Sequence, residues 1–355
     1  MSQEKYDIGF FERYLTLWVA LGIIAGIAFG ALFSGLAEYL ESLSIEGVNL
    51  PIAVLLFGMM YPIMVQIDFA EVKNAVKAPK PVILTLIVNW GIKPFTMLFF
   101  AWLFMRVIFA PLLPYDMAGE YMAGMILLGI APCTAMVLVW SYLAKGFMGL
   151  TLVLVAINSL TMLVLYAPLG TALLGVANIR IPFMTIFLSI LLYVGVSLLA
   201  GYISRVTLIR KKGIEWYESV FLKDMGTISK VSLLLTLVYL FMLQGGVILK
   251  DPLVVLLIAI PLSIQTLFIF GLGYRVAKMI GLKYEEAAPA AMIGASNHFE
   301  VAIATAVTVF GLQSGAALAT VVGVLIEVPI MLFLVRICLK TKDIFCCRLS
   351  PLHKL

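Results

Sequence analysis

Long apolar runs recur along the chain from end to end, separated by short polar stretches. Ten such runs mark ten membrane-spanning helices, at about 13–34, 50–67, 81–109, 120–144, 148–175, 181–207, 228–248, 252–280, 286–310 and 314–340. A run of about 18 or more apolar residues is long enough to cross roughly 30 Å of hydrocarbon. The second run is short and contains Pro62. The third is overlong and contains Pro94, which predicts a tilt or a bend. The first, Tyr14 to Phe33, lacks a small-residue cleavage site and is followed by more spans, so it reads as a helix and not a signal peptide. The largest polar stretch is about Arg210 to Lys230, too short to hold a soluble domain, so residues 1–355 read as one membrane domain.

Composition agrees. The 355 residues are 63% hydrophobic and 12% charged, with a mean hydropathy of +1.11; soluble domains carry about 25% charged residues. With the N-terminus inside, twenty of the 24 Lys and Arg fall in inner segments and three, Arg106, Arg180 and Lys250, in outer ones, while Lys93 lies within a span. The positive-inside rule therefore predicts cytoplasmic termini; the expected location is the plasma membrane. The net charge of +5 reflects topology and anionic lipid, not nucleic acid. Four cysteines make no disulfide framework, and the adjacent Cys346 and Cys347 read as incidental to function. No nucleotide-binding Gly-Lys-Ser or Gly-Lys-Thr is present, so no ATP motor is expected in the chain.

Spans 1–5 and 6–10 read as a repeat, at about residues 10–178 and 179–345. Tyr14 to Phe33 corresponds to Pro182 to Arg205, and Lys80-Pro81 to Asp251-Pro252. An odd number of spans per half inserts the halves with opposite orientation, giving an all-α inverted repeat. Two polar interruptions fall at matching places, Gly129-Ile-Ala-Pro-Cys-Thr-Ala-Met136 and Gly294-Ala-Ser-Asn-His-Phe-Glu-Val301. An offset of 165 sets Pro132 against Asn297, Cys133 against His298 and Ala135 against Glu300. Paired breaks of this kind mark a carrier whose site lies mid-membrane.

The broken segments supply the candidate chemistry. Cys133 follows Pro132 and is expected to open the second half of span 4, where a helix N-terminus favours thiolate. Glu300 in hydrocarbon is a functional candidate by default, able to load and unload a proton. His298, two residues away, is expected to point away from Glu300 on a regular helix; it either titrates or hydrogen-bonds. Thr134, Ser296 and Asn297 complete the polar lining. Lys93 either pairs with a charge in the bundle or snorkels, and Glu327 either pairs with Lys93 or lines the cavity. With two histidines in the chain, a histidine-rich metal site is excluded.

Ala131-Pro-Cys-Thr-Ala-Met-Val-Leu-Val-Trp-Ser141, Gly294-Ala-Ser-Asn-His-Phe-Glu-Val-Ala-Ile-Ala304 and Ser314 to Pro329 resemble the arsenical-resistance arsenite permeases. Met60-Tyr-Pro-Ile-Met64, Asn89-Trp90 and Gln244-Gly-Gly-Val-Ile-Leu249 fit as well. The resemblance covers essentially the whole chain. It implies the bile-acid/sodium symporter fold with broken crossing helices 4 and 9, and export of arsenite, with antimonite as a second substrate. It also implies that the family's essential cysteine is Cys133, the ligand for arsenic(III), and its essential carboxylate Glu300. Departures from the family pattern fall at Gln66, Gly246 and His298. The expected activity is proton-coupled antiport without enzymatic chemistry, cofactor or ATPase subunit. The alternative is a sodium-coupled organic-anion symporter, for which the broken segments offer few carboxylates and no cationic clamp.

Overall fold

The computed structural model describes residues 14–345 except 34, 36–38, 41, 46–47, 69–78 and 135; Cys346 and Cys347 lie outside that range. Among the described residues the protein is built from helices, apart from a short hairpin, Ser44–Ile45 against Val48–Asn49. The helices are α1 (Leu15–Leu32), α2 (Leu50–Met64), α3 (Pro79–Ile108), α4 (Tyr115–Ile130), α5 (Met136–Leu143) and α6 (Met148–Val176). They continue with α7 (Phe183–Lys212), α8 (Leu222–Lys250), α9 (Pro252–Met279), α10 (Tyr284–Ala295), α11 (Phe299–Phe310) and α12 (Gly315–Lys340). Six stretches, α3, α6, α7, α9, α12 and the helix through α8, are long and apolar enough to cross a membrane; Leu17–Leu32, Leu50–Met64 and Phe299–Phe310 are shorter apolar helices.

Two groups of helices emerge from the packing. In the first, α8 packs along α1 and α2, and α7 packs on α2. Here α1 approaches α8 through glycine: a Cβ on Gly26 would lie 2.7 Å from Phe241 Cβ. Small residues permit such backbone approach where no aqueous hydrophobic effect drives helices together. In the second group, α12 packs on α4, α9 and α11, while α9 packs on α10 and α3 on α4.

Three local features differ from a simple chain of rods. Arg210 to Lys230 is largely helical: α7 runs to Lys212, Gly213 turns the chain at φ +84°, and helix resumes at Ile214. A glycine suits that position because it carries no Cβ to clash at positive φ. The irregularity at Pro94 takes the form of a π turn, Ile87–Ile92, in which the Lys93 N–H bonds back to the Val88 carbonyl. That turn carries α3 past a ring that would otherwise meet the Trp90 carbonyl. The α2 helix continues through Pro62, whose carbonyl accepts from Gln66 Nε2 at 2.8 Å.

Candidate functional site

Helix α4 stops at Ile130 and α5 is described from Met136; α10 stops at Ala295 and α11 starts at Phe299. The first break follows from Pro132, which disfavours helical geometry at the residue before it; Ala131 is extended, at φ −89° and ψ 105°. The second has no proline. It is held open by bonds from three directions. The two extended segments cross as a one-rung antiparallel bridge between Pro132 and Asn297, with the His298 N–H donating to the Ala131 carbonyl at 2.9 Å.

Ser296 is the hub of the second break. Its carbonyl accepts from Lys93 Nζ at 2.6 Å, and its hydroxyl donates to Glu327 Oε1 on α12. The same carboxylate oxygen accepts from the Asn297 N–H at 3.2 Å. Lys93 is 0% exposed and Glu327 5%, so Lys93 does not snorkel. The two charges do not touch. They are joined through Ser296.

His298 is the residue before α11, at φ −92° and ψ 78°, and is not part of the helix. That turns its ring back onto the first turn, where Nδ1 lies 2.7 Å from Glu300 Oε2. The expectation that these side chains point apart fails because it assumed both to be helical. Cys133 likewise lies in the extended segment ahead of Met136 and does not open α5. Its side chain is 2% exposed, one turn ahead of the α5 backbone. Helix N-termini carry partial positive charge, and those of α5 and α11 both begin at the crossing.

Pro132, Cys133, Thr134, Ser296, Asn297, His298 and Glu300 are all buried, none more than 6% exposed among those with a polar side chain. Four polar atoms at the crossing find no partner within the protein: Thr134 Oγ1, Asn297 Oδ1, His298 Nε2 and Glu300 Oε1. Buried polar atoms are rarely left so; bound water or a bound solute ordinarily satisfies them. Among the described residues no cluster of His, Cys, Asp and Glu suited to a metal ion occurs.

Sequence reasoning assigned no role to Asn89 and passed over its partner Asn158, and over Gln265, all buried on the surrounding helices. Asn89 Nδ2 on α3 donates to Asn158 Oδ1 on α6 at 3.2 Å, and Gln265 on α9 is fully buried with neither amide atom partnered. Each is a lone amide in an apolar run, which is the signal that would have found it.

Comparison with known proteins now has a geometry to explain. The profile of the Sodium Bile acid symporter family matches residues 53–251. An arsenical-resistance protein, Acr3, of Alkaliphilus metalliredigens is 50% identical over 342 residues, 96% of each chain. The chain belongs to the Acr3-type branch of the sodium bile acid symporter family. Acr3 of Corynebacterium glutamicum is 36% identical over 337 residues, covering 92% of this chain and 88% of that protein. An uncharacterised transporter of Synechocystis is 59% identical over 343 residues, or 94% and 90%. As a family member with many apolar helices, the protein is a multi-pass membrane transporter.

Proposed function

We propose that this chain is a secondary active exporter of arsenite, with antimonite as a second substrate, driven by proton antiport across the cell membrane. The observation that carries the reading is the enclosed cluster at the crossing: a thiol, a carboxylate and unpartnered hydroxyl and amide groups, in a chain half identical to an arsenical-resistance protein. At neutral pH arsenite is an uncharged trihydroxide. Its hydroxyls suit Glu300 Oε1, Asn297 Oδ1 and Thr134 Oγ1, while the soft sulfur of Cys133 meets the soft metalloid. One sulfur is the right number for a carrier, because cargo bound by three thiolates would not leave.

The fold we assign is ten spans in two inverted repeats, 10–178 and 179–345, with α4–α5 and α10–α11 each forming one broken span and both termini cytoplasmic. Packing supports it: α8 on α1 has its counterpart in α7 on α2, α12 on α4 in α6 on α10, and α9 on α10 in α3 on α4. The Pro132–Asn297 bridge lies where a two-fold axis in the membrane plane would pass.

Exporting a neutral solute against a gradient needs a charge moving the other way. One proton entering is worth about 2.3 kcal/mol per 100 mV, which supports roughly a 40-fold outward gradient at about 1.4 kcal/mol per tenfold. Glu300 carries that proton: His298 fixes one oxygen and leaves Oε1 to exchange between proton and cargo. Arsenite flux into everted vesicles under an imposed proton gradient tests this. The native chain accumulates arsenite, and Glu300→Gln, which keeps an acceptor for His298, folds but does not. Accumulation by the Gln variant with proton coupling intact refutes the role of Glu300; accumulation by the native chain that ignores the gradient refutes antiport.

A further inference from the structure

One end of the bundle holds a cavity lined by none of the residues at the crossing. It measures about 530 Å³ and opens between the last part of α3, the turn after it, the start of α4 and the end of α6. Small-molecule sites run at roughly 300–1,000 Å³. Its walls are mostly apolar, Met105, Leu113, Met122 and Val176 among them, and Arg106 is the one charged side chain in the described lining. That guanidinium is held in place. Nη1 donates to the Tyr115 carbonyl at 2.7 Å, and the group stacks 3.6 Å from the centre of the Tyr115 ring. Gly119 gives it room, since a Cβ there would lie 3.2 Å from Nη2. Among the described residues no carboxylate pairs with Arg106. Arginine carries a rigid fork of N–H donors, so one bond to a carbonyl leaves most of the fork, and all of the charge, to a ligand.

A held, unpaired guanidinium suits an anion, and its fork matches phosphate. The neighbouring surface fixes the class of anion. Phe95, Phe99 and Trp102 stand at i, i+4 and i+7 on the regular helix Lys93–Trp102 and are 50%, 53% and 49% exposed. They form one apolar stripe down α3, and Trp102 at its head also lines the cavity. Trp and Tyr settle at headgroup depth in a bilayer, where Trp102 and Tyr115 flank Arg106 at the span ends. We propose that this cavity binds a membrane phospholipid, with the phosphodiester on Arg106 and an acyl chain along Phe95, Phe99 and Trp102. The headgroup then joins the ends of α3, α4 and α6. A free phosphate would meet the guanidinium but would leave the stripe unused.

The test uses purified full-length protein in maltoside detergent, without arsenite, so its outcome is separate from that of the transport reading. The protein is titrated with phosphatidylglycerol whose acyl chains are brominated, and tryptophan fluorescence is followed. Bromine quenches at contact, and Trp102 is the reporter. The expected result is saturable quenching of the native chain that Trp102→Phe loses. Arg106→Gln, which keeps a donor for the Tyr115 carbonyl, needs roughly tenfold more lipid for half-quenching, the scale of one lost charge-assisted bond. Ala110→Phe, which fills the cavity and leaves the guanidinium in place, loses the saturable component as well. Inorganic phosphate at equal concentration does not compete. Half-quenching at the same lipid concentration in the native chain and Arg106→Gln overturns the proposal; should Arg106→Gln fail to fold, undiminished binding by Ala110→Phe does so. Displacement of the lipid by inorganic phosphate marks a free-anion site and overturns the lipid reading. Quenching that rises without saturation, or that Trp102→Phe retains, marks ordinary contact with bulk lipid and overturns it too.

Discussion

Glu327 holds the second break from across the bundle, and removing it has a cost that follows from its bonds. It accepts from the Ser296 hydroxyl and from the Asn297 N–H, inside a region nearly closed to water. Glu327→Ala leaves both donors unpaired. A buried donor left without a partner costs about 1–3 kcal/mol, so the pair costs about 2–6 kcal/mol, before any effect on Lys93. At roughly 2 °C per kcal/mol for a large chain, the melting temperature falls by about 4–12 °C. Glu327→Gln keeps an oxygen in place and loses only the charge-assisted part of each bond, about 1 kcal/mol apiece. The alanine variant is therefore distinctly less stable than the glutamine variant when both are melted in the same detergent. Equal melting temperatures for the two would mean that the acceptor at this position does not brace the break, and the account of why span 9 opens without a proline would be wrong.

Cys133→Ser, which keeps a polar atom of similar reach but removes the soft ligand, is expected to abolish most arsenite export in cells exposed to arsenite while leaving protein levels unchanged; full resistance would remove sulfur from the mechanism. Gly124→Ala places a methyl against the Ala316 carbonyl and 2.8 Å from Ala319 Cβ, where α4 meets α12; overpacking of this kind costs about 1–3 kcal/mol. Gly271→Ala meets nothing within 4 Å on α9 and should gain up to about 1 kcal/mol from helix propensity; melting the two side by side checks both signs. Asp68→Asn breaks the 2.8 Å pair with Arg205, but Asp68 is 40% exposed, so the loss stays below about 1 kcal/mol and shrinks further in high salt.

The helices were legible because hydropathy alone separates span from loop, and the breaks because each plants polar groups in an apolar run. The offset of 165 even set Pro132 against Asn297, the two residues that pair across the crossing. Precision failed where a residue leaves the helix. Periodicity assigns directions only within regular geometry, so the contact between His298 and Glu300 and the place of Cys133 ahead of α5 were both misread. The role of Ser296 was illegible for a different reason. It joins Lys93, 203 residues before it, to Glu327, 31 residues after it, and no local pattern carries information about such a meeting.

The bridge between Pro132 and Asn297 also sets an order of events during synthesis. The Ala131 carbonyl is one of the groups that Pro132 frees from helical bonding, and its partner is the N–H of His298. The ribosome makes about 5–20 residues per second, so the 165 residues from Pro132 to Asn297 take roughly 10–30 s to emerge. For that interval the Ala131 carbonyl lacks this partner and α1 lacks α8, the helix it packs along. A chain stalled in that window carries an unpaired backbone carbonyl, which costs free energy wherever water is absent.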